Sequence, residues 1–481
     1  MNIEDKDLLS IQEARNLIKN AKKAQNVFSK YSMAEIDNIV ESISKAASRE
    51  GEYLAKLAHT ETKFGNWQDK LKKNKFASDR VYEYVKDMKT LGIIGEQDKD
   101  KIMDIGIPVG VISALIPSTN PTSTTIYKTL ISLKAGNSII FSPHPAALNS
   151  IKRTVQILNS AAVQSGAPEG LISCLSNPTK EATEELMRHK DVNLILATGG
   201  SAMVKAAYSS GTPALGVGPG NVPVFIERSA DIKSAVKKIF EGKTFDNGTV
   251  CSSEQSIITE KVIEEQVKDE IIRQGGYFLK GDKLNKIIQL MEHPSGRINP
   301  KIVGKTAADL AKMANIEIPG ETKVLLCEEK GVGRDYPFSK EKLTSLLAFY
   351  SVENFEEASQ LCILLLEYGG LGHTISIHSK NEEIIKEFAL QQPASRIVVN
   401  TPSSIGAIGY TTKLAPSLTL GSGAIGGSAT SDNISPMNLI NIRKLAYGID
   451  EVAGNIKSAD SIDINTITKM VLEEIKKINI K

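Results

Sequence analysis

The spacing of apolar residues changes along the chain, from a helical period near the N-terminus to short β-rich runs. Ser10 with Glu13 predicts a capping box at the start of a first amphipathic helix. Its apolar positions recur at helical spacing: Ile11, Ala14, Leu17, Ile18 and Ala21. From about residue 105, the runs GVISALI, SIIFS, LILA and VPVFI alternate with helical stretches such as 147–165 and 201–208. This alternation predicts a parallel sheet covered by helices.

Two alternating runs joined by a charged turn make up the segment KTLGIIGEQDKDKIMDIGIP, which predicts a hairpin that projects from the body. Together with the later run LINIRKLA, this hairpin predicts strand pairing between the subunits of a homodimer or homotetramer. A second α/β series extends over about 250–428, and no Pro- or Ser-rich linker precedes it. The two lobes are therefore expected to pack together.

The end of the chain has the pattern of an appendage. After the small and polar stretch DEVAGNIKSADS, Asp463 or Asn465 is placed to cap a short helix. The apolar stripe of this helix consists of Ile464, Ile467, Val471, Ile475 and Ile478. Such a helix cannot bury its stripe alone, so it packs on its own lobe or docks on another protein.

Composition and charge narrow the classes of function. The 481 residues are 41% hydrophobic and 24% charged, which is ordinary globular usage and enough material for two large lobes. Lys and Arg total 58 against 56 Asp and Glu, so no strong field exists to hold a nucleic acid or an anionic membrane. No apolar run reaches the roughly 18 residues that span a bilayer, and the N-terminus lacks a signal-peptide core. A cytoplasmic protein without nucleic-acid or membrane partners is expected.

The four cysteines form no CxxC pair, so the sequence predicts neither a zinc site nor a disulfide framework. Cys174, Cys327 and Cys362 lie in apolar runs, which is typical of small buried hydrophobes. Cys251 lies instead in TFDNGTVCSSEQS, a polar segment of small residues that can house a reactive thiolate. Cys251 is therefore the candidate nucleophile.

A thiolate that attacks a carbonyl needs a donor for the resulting oxyanion. Asn120, in Pro-Ser-Thr-Asn-Pro after the run GVISALI, offers an amide at a strand end, although taken by itself it is more typical of an Asx-turn. The turn ATGGSAMVKAA passes from an apolar run into a helix and can face a phosphate. The glycine-rich turns GVGPGNVPVFI and LTLGSGAIGGS are also consistent with tight turns alone. No single turn identifies a nucleotide.

Taken together, these segments resemble one family. PVGVISALIPSTNP, SPHPAA, GAPEGLI, ILATGGSAMVKAAYSSG, ALGVGPGNVPVFI, FDNGTVCSSEQS, GLGHTISIHS and APSLTLGSGAIGG occur in the order and spacing of the aldehyde dehydrogenase superfamily. They are most similar to its CoA-acylating, acetaldehyde dehydrogenase branch. The resemblance covers about 10–446 and implies an α/β aldehyde dehydrogenase fold with a Rossmann-like cofactor domain, an α/β catalytic domain and a β-hairpin oligomerisation arm.

The resemblance also implies domain bounds and residue roles. The implied parts are an NAD-binding domain (1–87 and 108–219), a catalytic domain (220–430), oligomerisation strands (88–107 and 431–448), and a linker with a C-terminal amphipathic helix (449–481). The implied catalytic residues are Cys251, Asn120 and His373, with Asn120 and the Cys251 N–H forming an oxyanion hole and His373 assisting thioester exchange. The implied cofactor-binding residues are Ser118, Thr119, Ser142, His144, Gly199, Gly200, Ser201, Gly218 and Glu341. No metal is expected.

One departure from the wider superfamily bears on the reaction. Hydrolytic members have a Glu in an ELGGK-type motif that activates water, whereas this chain reads ALGVGPGN with no carboxylate. A CoA thiolate is a better nucleophile than water and needs less help. The resemblance therefore implies a reversible, NAD-dependent conversion of an aldehyde and CoA into an acyl-CoA through Cys251. A hydrolytic aldehyde dehydrogenase and a non-catalytic, nucleotide-binding relative are the alternatives.

The substrate and the location stay open at this stage. Acetaldehyde is the first choice, and propionaldehyde, succinate semialdehyde and sulfoacetaldehyde are the alternatives used by relatives. NAD rather than NADP is the family preference. A short amphipathic helix behind a polar linker resembles the peptides that direct enzymes into bacterial microcompartments. Residues 463–481 are therefore a candidate contact for a shell protein.

Overall fold

The fold of the chain was taken from a computed structural model, which describes residues 5–97, 101–293, 298–448 and 464–478. The strands are β1 (Gly92–Gln97), β2 (Ile102–Pro108), β3 (Val111–Ile116), β4 (Ser138–Pro143), β5 (Ile172–Cys174), β6 (Leu194–Thr198), β7 (Ala214–Val217), β8 (Val222–Ile226), β9 (Glu254–Glu260), β10 (Gly276–Phe278), β11 (Val324–Glu328), β12 (Leu346–Val352), β13 (Gly372–His378), β14 (Ala394–Val399) and β15 (Ile440–Ala446).

The α-helices are α1 (Lys6–Phe28), α2 (Met33–Arg49), α3 (Gly51–Thr62), α4 (Trp67–Lys75), α5 (Val81–Val85), α6 (Pro121–Lys134), α7 (Leu148–Gln164), α8 (Lys180–Arg188), α9 (Ser201–Tyr208), α10 (Ile232–Thr244), α11 (Glu264–Arg273), α12 (Gly281–Met291), α13 (Ala307–Met313), α14 (Phe355–Tyr368), α15 (Glu382–Gln391), α16 (Ser403–Gly406) and α17 (Ile464–Ile478). A short π-helical segment, Phe76–Arg80, joins α4 to α5. No helix among these described residues is long and apolar enough to cross a bilayer.

The first large sheet has five parallel strands in the order β5-β4-β3-β6-β7. Its strands are continuous apolar runs because helices cover both faces. Helix α6, which follows β3, is buried along its whole length. Strand order reverses between β3 and β6, and in open parallel sheets ligands bind in the crevice beyond the strand ends at such a reversal.

The second large sheet has seven strands in the order β10-β11-β12-β9-β8-β13-β14, also parallel in every pair. Phe225 on β8 packs against Phe355 and Phe388, with ring centroids 6.3 and 5.7 Å away. These aromatic rings join α14 and α15 to one face of the sheet. The parallel sheets and covering helices predicted from the alternation of runs are thus confirmed, including the helices predicted at 147–165 and 201–208.

The strands of the five-stranded sheet lie within 108–219, and those of the seven-stranded sheet lie within 220–430. Both sheets belong to one compact unit, which comprises 1–91 and 107–441. The remaining unit, 92–106 and 442–481, contains most of the hairpin, the end of β15, and α17.

The predicted hairpin is present, with β1 and β2 antiparallel and Gly92 opposite Gly106. β15, which carries the run LINIRKLA, adds to β2 as the third strand of the same sheet. Lys444 and Asp104 form an ion pair of 2.5 Å across the sheet. β15 therefore pairs within the chain, whereas the pairing between subunits stays a prediction.

The start of the first helix differs from the prediction. Helix α1 begins at Lys6, because the Asp5 carboxylate accepts hydrogen bonds from the N–H groups of Asp7 and Leu8. Ser10 is therefore inside the helix, where its hydroxyl donates to the Asp7 carbonyl. Glu13 does not close a capping box, since its carboxylate accepts from Ser176 and Asn177, far along the chain.

The predicted C-terminal helix is also present as α17. Asp463, one of its two candidate caps, lies outside the described residues. The other candidate, Asn465, lies inside the first turn of the helix and does not precede it. Four apolar side chains of the helix are about half exposed or more: Met470, Val471, Leu472 and Ile475.

Candidate active site

The two turns at the strand-order reversal border one cavity of about 230 Å³. One turn follows β3 and the other follows β6 and leads into α9. Nine of the residues expected in the site line this cavity: Ser118, Thr119, Asn120, His144, Gly199, Gly200, Gly218, Cys251 and Glu341. The fold therefore brings the candidate nucleophile, the candidate oxyanion donor and most of the candidate cofactor residues together.

Cys251 enters the cavity from the turn that precedes β9. In that turn, Asp246 and Asn247 both have left-handed backbone conformations, with φ of 47° and 53°. Burial and, to a smaller degree, the nearby Glu341 carboxyl raise the pKa of the Cys251 thiol to about 12. The thiol is therefore protonated at neutral pH and has to lose its proton when substrates bind.

Asn120 stands at the N-terminal end of α6, and its side chain makes no capping hydrogen bond to the helix. Its Nδ2 donates to Thr119 Oγ1 at 3.2 Å and to the Thr249 carbonyl at 3.3 Å. Both contacts are long, so the Nδ2 hydrogens are not strongly committed to these acceptors. Asn120 lines the cavity and does not cap α6, and its role as an oxyanion donor stays a prediction.

Glu341 is a partly buried carboxyl in the lining of the same cavity, where its Oε1 accepts from the Gly220 N–H at 3.1 Å. Burial raises its pKa to about 8, so the group is mostly neutral at pH 7. A side chain at position 220 would approach the Cys251 carbonyl oxygen to 2.1 Å. Glycine is therefore required there for the close approach of this turn to the nucleophile.

His373 is the second residue of β13 and is 1% exposed. Its Nδ1 lies 2.9 Å from Thr374 Oγ1, while its Nε2 has no hydrogen-bond partner among the described residues. Burial and the Arg396 guanidinium lower the pKa of His373 to about 3, so the ring is neutral. His373 lines a neighbouring cavity of about 550 Å³ together with Ser201 and Gly218.

Two other candidates differ in placement. The Ser142 hydroxyl is buried against Thr183 Oγ1 at 2.9 Å, and Ser142 lines neither cavity. His144 lines the smaller cavity, and its Nδ1 accepts from the Ala146 N–H at 3.1 Å. Burial lowers the pKa of His144. Of the two, His144 is the one in a position to contact a ligand in the cavity.

Several residues that hold the site residues in place were not predicted from the sequence. Arg396 on β14 donates to the carbonyls of His373 at 2.6 Å and Gly421 at 2.5 Å, and so ties β13 to the loop around 418–428. Lys73 on α4 donates to Asn120 Oδ1 and to the Asp246 carboxylate. Lys73 belongs to the run KLKKNK, which is typical of a solvated helix face. No local pattern distinguishes it from its exposed neighbour Lys72.

The residues present fit a dinucleotide. Gly199 and Gly200 precede α9 and leave its first N–H groups free to face a phosphate. A side chain at position 200 would meet nothing within 4 Å, so the approach to this helix end is open. Glu341 offers a carboxyl in the lining of the same cavity, a group that can accept a hydrogen bond from a ribose hydroxyl.

The fold thus contains two large parallel sheets, and Cys251, Asn120 and the turn before α9 line one cavity at the strand-order reversal. The model of the aldehyde dehydrogenase family matches residues 6–290, and the chain belongs to that family.

The bifunctional aldehyde-alcohol dehydrogenase of Escherichia coli (strain K12) is 42% identical over 442 residues, covering 91% of this chain and 50% of the relative. The chain thus spans about half the length of that relative. The acetylating aldehyde dehydrogenase of Geobacillus thermoglucosidasius is 50% identical with a TM-score of 0.92, covering 93% of this chain and 99% of that structure.

Two propionaldehyde dehydrogenases have the same fold with a TM-score of 0.82. The enzyme from the Clostridium phytofermentans fucose utilisation bacterial microcompartment is 30% identical and covers 90% of this chain and 97% of its own. The Rhodopseudomonas palustris enzyme, solved with bound CoA and an acylated cysteine, is 29% identical over 90% of this chain and 97% of its own.

Proposed function

We propose that this chain is an NAD-dependent, CoA-acylating aldehyde dehydrogenase that interconverts a short aldehyde and its acyl-CoA. The observation that carries the proposal is that the Cys251 thiol and the Asn120 amide line one cavity. The segment 214–221 has no carboxyl side chain, so it lacks the glutamate that activates water in hydrolytic members. The similar proteins include an acetylating aldehyde dehydrogenase, which agrees with CoA as the acceptor.

In the first half-reaction, Cys251 Sγ bonds to the aldehyde carbon and the thiol proton passes to water. Asn120 Nδ2 and the Cys251 N–H donate to the oxyanion that forms. Gly199, Gly200 and Glu341 would hold NAD⁺, which would supply the hydride acceptor. Loss of hydride converts the thiohemiacetal on Cys251 into a thioester, which retains the energy of the oxidation.

In the second half-reaction, the CoA thiolate attacks the thioester carbon and the same two donors hold the oxyanion. The bond to Cys251 Sγ breaks, and acyl-CoA leaves with the thiolate of Cys251 restored. Because one thioester is exchanged for another, the free-energy change of this step is small. The whole reaction is therefore reversible. Two half-reactions separated by a covalent enzyme predict ping-pong kinetics.

The acceptor is tested by following NADH absorbance with purified protein, NAD⁺ and acetaldehyde, with and without CoA. We expect a single burst of about one NADH per active site without CoA, and continuous turnover when CoA is added. Without CoA the thioester is expected to persist, since the segment 214–221 lacks the carboxylate that activates water in hydrolytic members. Continuous turnover at an equal rate without CoA contradicts the proposal and indicates a hydrolytic enzyme.

The aldehyde itself is proposed to be acetaldehyde. A cavity of about 230 Å³ accommodates a small substrate next to the cofactor, and the acetylating relative agrees with a two-carbon acyl group. Propionaldehyde, succinate semialdehyde and sulfoacetaldehyde are the alternatives. If kcat/KM for one of these aldehydes exceeds that for acetaldehyde, that aldehyde becomes the proposed substrate. The proposal that CoA is the acyl acceptor is not affected.

We propose that the neutral His373 ring donates a hydrogen bond from its unpartnered Nε2 to the CoA thiolate and so positions the sulfur, while its Nδ1 faces Thr374 Oγ1. His373→Gln is then expected to lower CoA-dependent turnover by about tenfold or more, since a hydrogen bond to a charged group is lost or displaced. The NADH burst without CoA is expected to keep its rate, because CoA takes no part in it. Stopped-flow absorbance measures both phases in one experiment. An equal fall of the burst rate assigns His373 to the first half-reaction and contradicts this role.

We also propose that the hairpin arm pairs with a second copy, in a homodimer or homotetramer. The arm exposes Ile93, Ile442, Leu445 and Tyr447, each at least 40% accessible in the isolated chain. Such apolar side chains on a three-stranded sheet are suited to contact between subunits. A monomeric mass by sedimentation at micromolar concentration contradicts this proposal.

Residues 463–481 are proposed to bind a microcompartment shell protein. The exposed apolar stripe of α17 supports the proposal, and a relative comes from a microcompartment. Deleting residues 455–481 is expected to leave kcat/KM within about twofold and to abolish co-sedimentation with shells, since the catalytic cavity lies elsewhere in the chain. Loss of activity on deletion indicates instead that the helix packs on its own lobe.

A further inference from the structure

Three charged side chains are buried behind the wall of the cavity that carries Asn120. Lys70 and Lys73, both on α4, have side chains 2% exposed, and Asp246 is fully buried. Burying charge is costly, and such groups persist only where they are paired and hydrogen-bonded. The cluster lies next to the turn that leads to Cys251.

Each lysine of the cluster has two partners. Lys73 Nζ donates to Asn120 Oδ1 and to Asp246 Oδ2. Lys70 Nζ donates to the same Asp246 oxygen at 3.0 Å and to the backbone carbonyl of Thr119 at 3.2 Å. The two lysines thus share a carboxylate, but only Lys73 contacts the side chain of Asn120.

Asp246 also fixes the turn before the nucleophile. Its Oδ2 accepts from Thr249 Oγ1 at 2.7 Å, and its Oδ1 accepts from the Asn66 N–H at 2.9 Å. The Thr249 carbonyl in turn accepts from Asn120 Nδ2. Lys73 and the turn therefore hold the Asn120 carboxamide from both ends.

A carboxamide has two ends of nearly equal shape and opposite hydrogen-bonding character. An ammonium group only donates, so Lys73 requires that the oxygen of Asn120 face it. The NH₂ group must then point the other way, toward the Thr249 carbonyl and the cavity. The opposite orientation would present a carbonyl oxygen to the developing oxyanion, where it repels charge in place of donating a hydrogen bond.

We propose that Lys73 is a positioning residue that selects the catalytic orientation of the Asn120 carboxamide, and that Asp246 holds Lys73 in place. This inference rests on the proposed function, because it assigns a role within the oxyanion hole. It adds to that function a residue from α4 that does not itself touch the substrate.

The alternative is that Lys73 only neutralises Asp246 and stabilises the fold. Lys70 offers a matched control, since it lies on the same helix, is equally buried, and donates to the same oxygen of Asp246. Lys70→Met removes one cation from the cluster without removing a contact to the Asn120 side chain. Both lysine variants are expected to lower the thermal unfolding midpoint by similar amounts.

The experiment is a double-mutant cycle between Lys73→Met and Asn120→Ala, read as the rate of the NADH burst without CoA. We expect Lys73→Met alone to slow the burst by about tenfold or more while the KM for the aldehyde changes less than about twofold. In the Asn120→Ala background, Lys73→Met is expected to slow it less than about threefold, because no amide remains to orient. Lys70→Met is expected to have the same effect in both backgrounds.

Equal losses from Lys73→Met in the two backgrounds overturn the inference and assign Lys73 a structural role. If Lys73→Met does not fold, Lys73→Gln replaces it in the same cycle, since its amide keeps the volume and no longer forces one orientation. Lys73→Arg, which only donates, is expected to recover part of the burst rate. If the unmodified enzyme shows no NADH burst, the proposed function is refuted. If it shows the burst but the effects of Lys73→Met and Asn120→Ala are additive, only this inference is refuted.

Discussion

Replacing Cys251 with alanine is expected to abolish aldehyde-dependent NADH formation, with a loss of at least about ten-thousand-fold. The proposed reaction passes through a covalent bond to this sulfur in both half-reactions, so no partial reaction survives. Both the burst without CoA and the steady rate with CoA are measured by absorbance. Mass spectrometry of the parent protein quenched without CoA is expected to show the acyl adduct on the peptide that contains Cys251.

The other cysteines cannot replace Cys251. Cys327 and Cys362 are buried in the core that packs on the seven-stranded sheet, and Cys174 lines neither of the two cavities described above. Cys174→Ala is the control, because it removes a thiol outside the cavity and is expected to retain full activity. Residual turnover of more than about 1% in Cys251→Ala would contradict covalent catalysis by this residue.

The pH dependence of Cys251 alkylation tests the environment of its thiol. Because burial raises its pKa to about 12, the thiolate fraction rises about tenfold per pH unit below that value. Its alkylation in the absence of ligands should therefore become steadily faster from pH 7 to pH 9. A reactive thiolate at neutral pH has to be produced by bound substrate and cofactor.

Much of the fold could be predicted from the chain because local patterns specify it. The runs before Asn120 and before Gly199 are continuous and apolar, as in parallel strands covered on both faces, and each ends at a turn of small residues. Parallel strands place those turns at one edge of the sheet. Cys251 could be selected from four cysteines because its neighbours are polar and small.

The residues that hold the site together could not be predicted in this way. Lys73 and Asp246 are 173 positions apart, and Arg396 reaches the His373 carbonyl across neighbouring strands. Such contacts depend on tertiary packing, and a lysine in a basic run gives no sign of burial. The start of α1 was missed for a related reason, since Glu13 serves the turn at Ser176 and not its own helix.

Burial also changes the chemistry that the sequence indicates. In the sequence alone, a glutamate is expected to be charged at neutral pH, and a cysteine in a polar segment is expected to be reactive. In the fold, Glu341 is mostly neutral, His373 is neutral, and Cys251 is protonated, each because the protein removes water from the charged form. The His373 ring, with a pKa of about 3, is therefore suited to donate a hydrogen bond and not to hold the proton of a thiol.

Asn120→Ala is expected to lower kcat by about 10²–10³-fold, the usual loss when one oxyanion donor is removed. The KM for the aldehyde is expected to change by less than about threefold, because the ground-state carbonyl carries little charge. Steady-state kinetics with saturating CoA give both constants. Asn74→Ala is the matched control, since Asn74 is a buried amide on α4 that donates to the Gly51 carbonyl and does not contact Asn120. It is expected to lower stability while the kcat stays within about twofold.

The two half-reactions provide a stricter test of Asn120. Both proceed through an oxyanion on the carbon bonded to Cys251, and one pair of donors serves both. Asn120→Ala should therefore slow the NADH burst and the CoA-dependent release of acyl-CoA by similar factors. His373→Gln, by contrast, should slow only the second. A loss confined to one half-reaction in Asn120→Ala would mean that the two oxyanions occupy different positions, and that another donor serves the unaffected step.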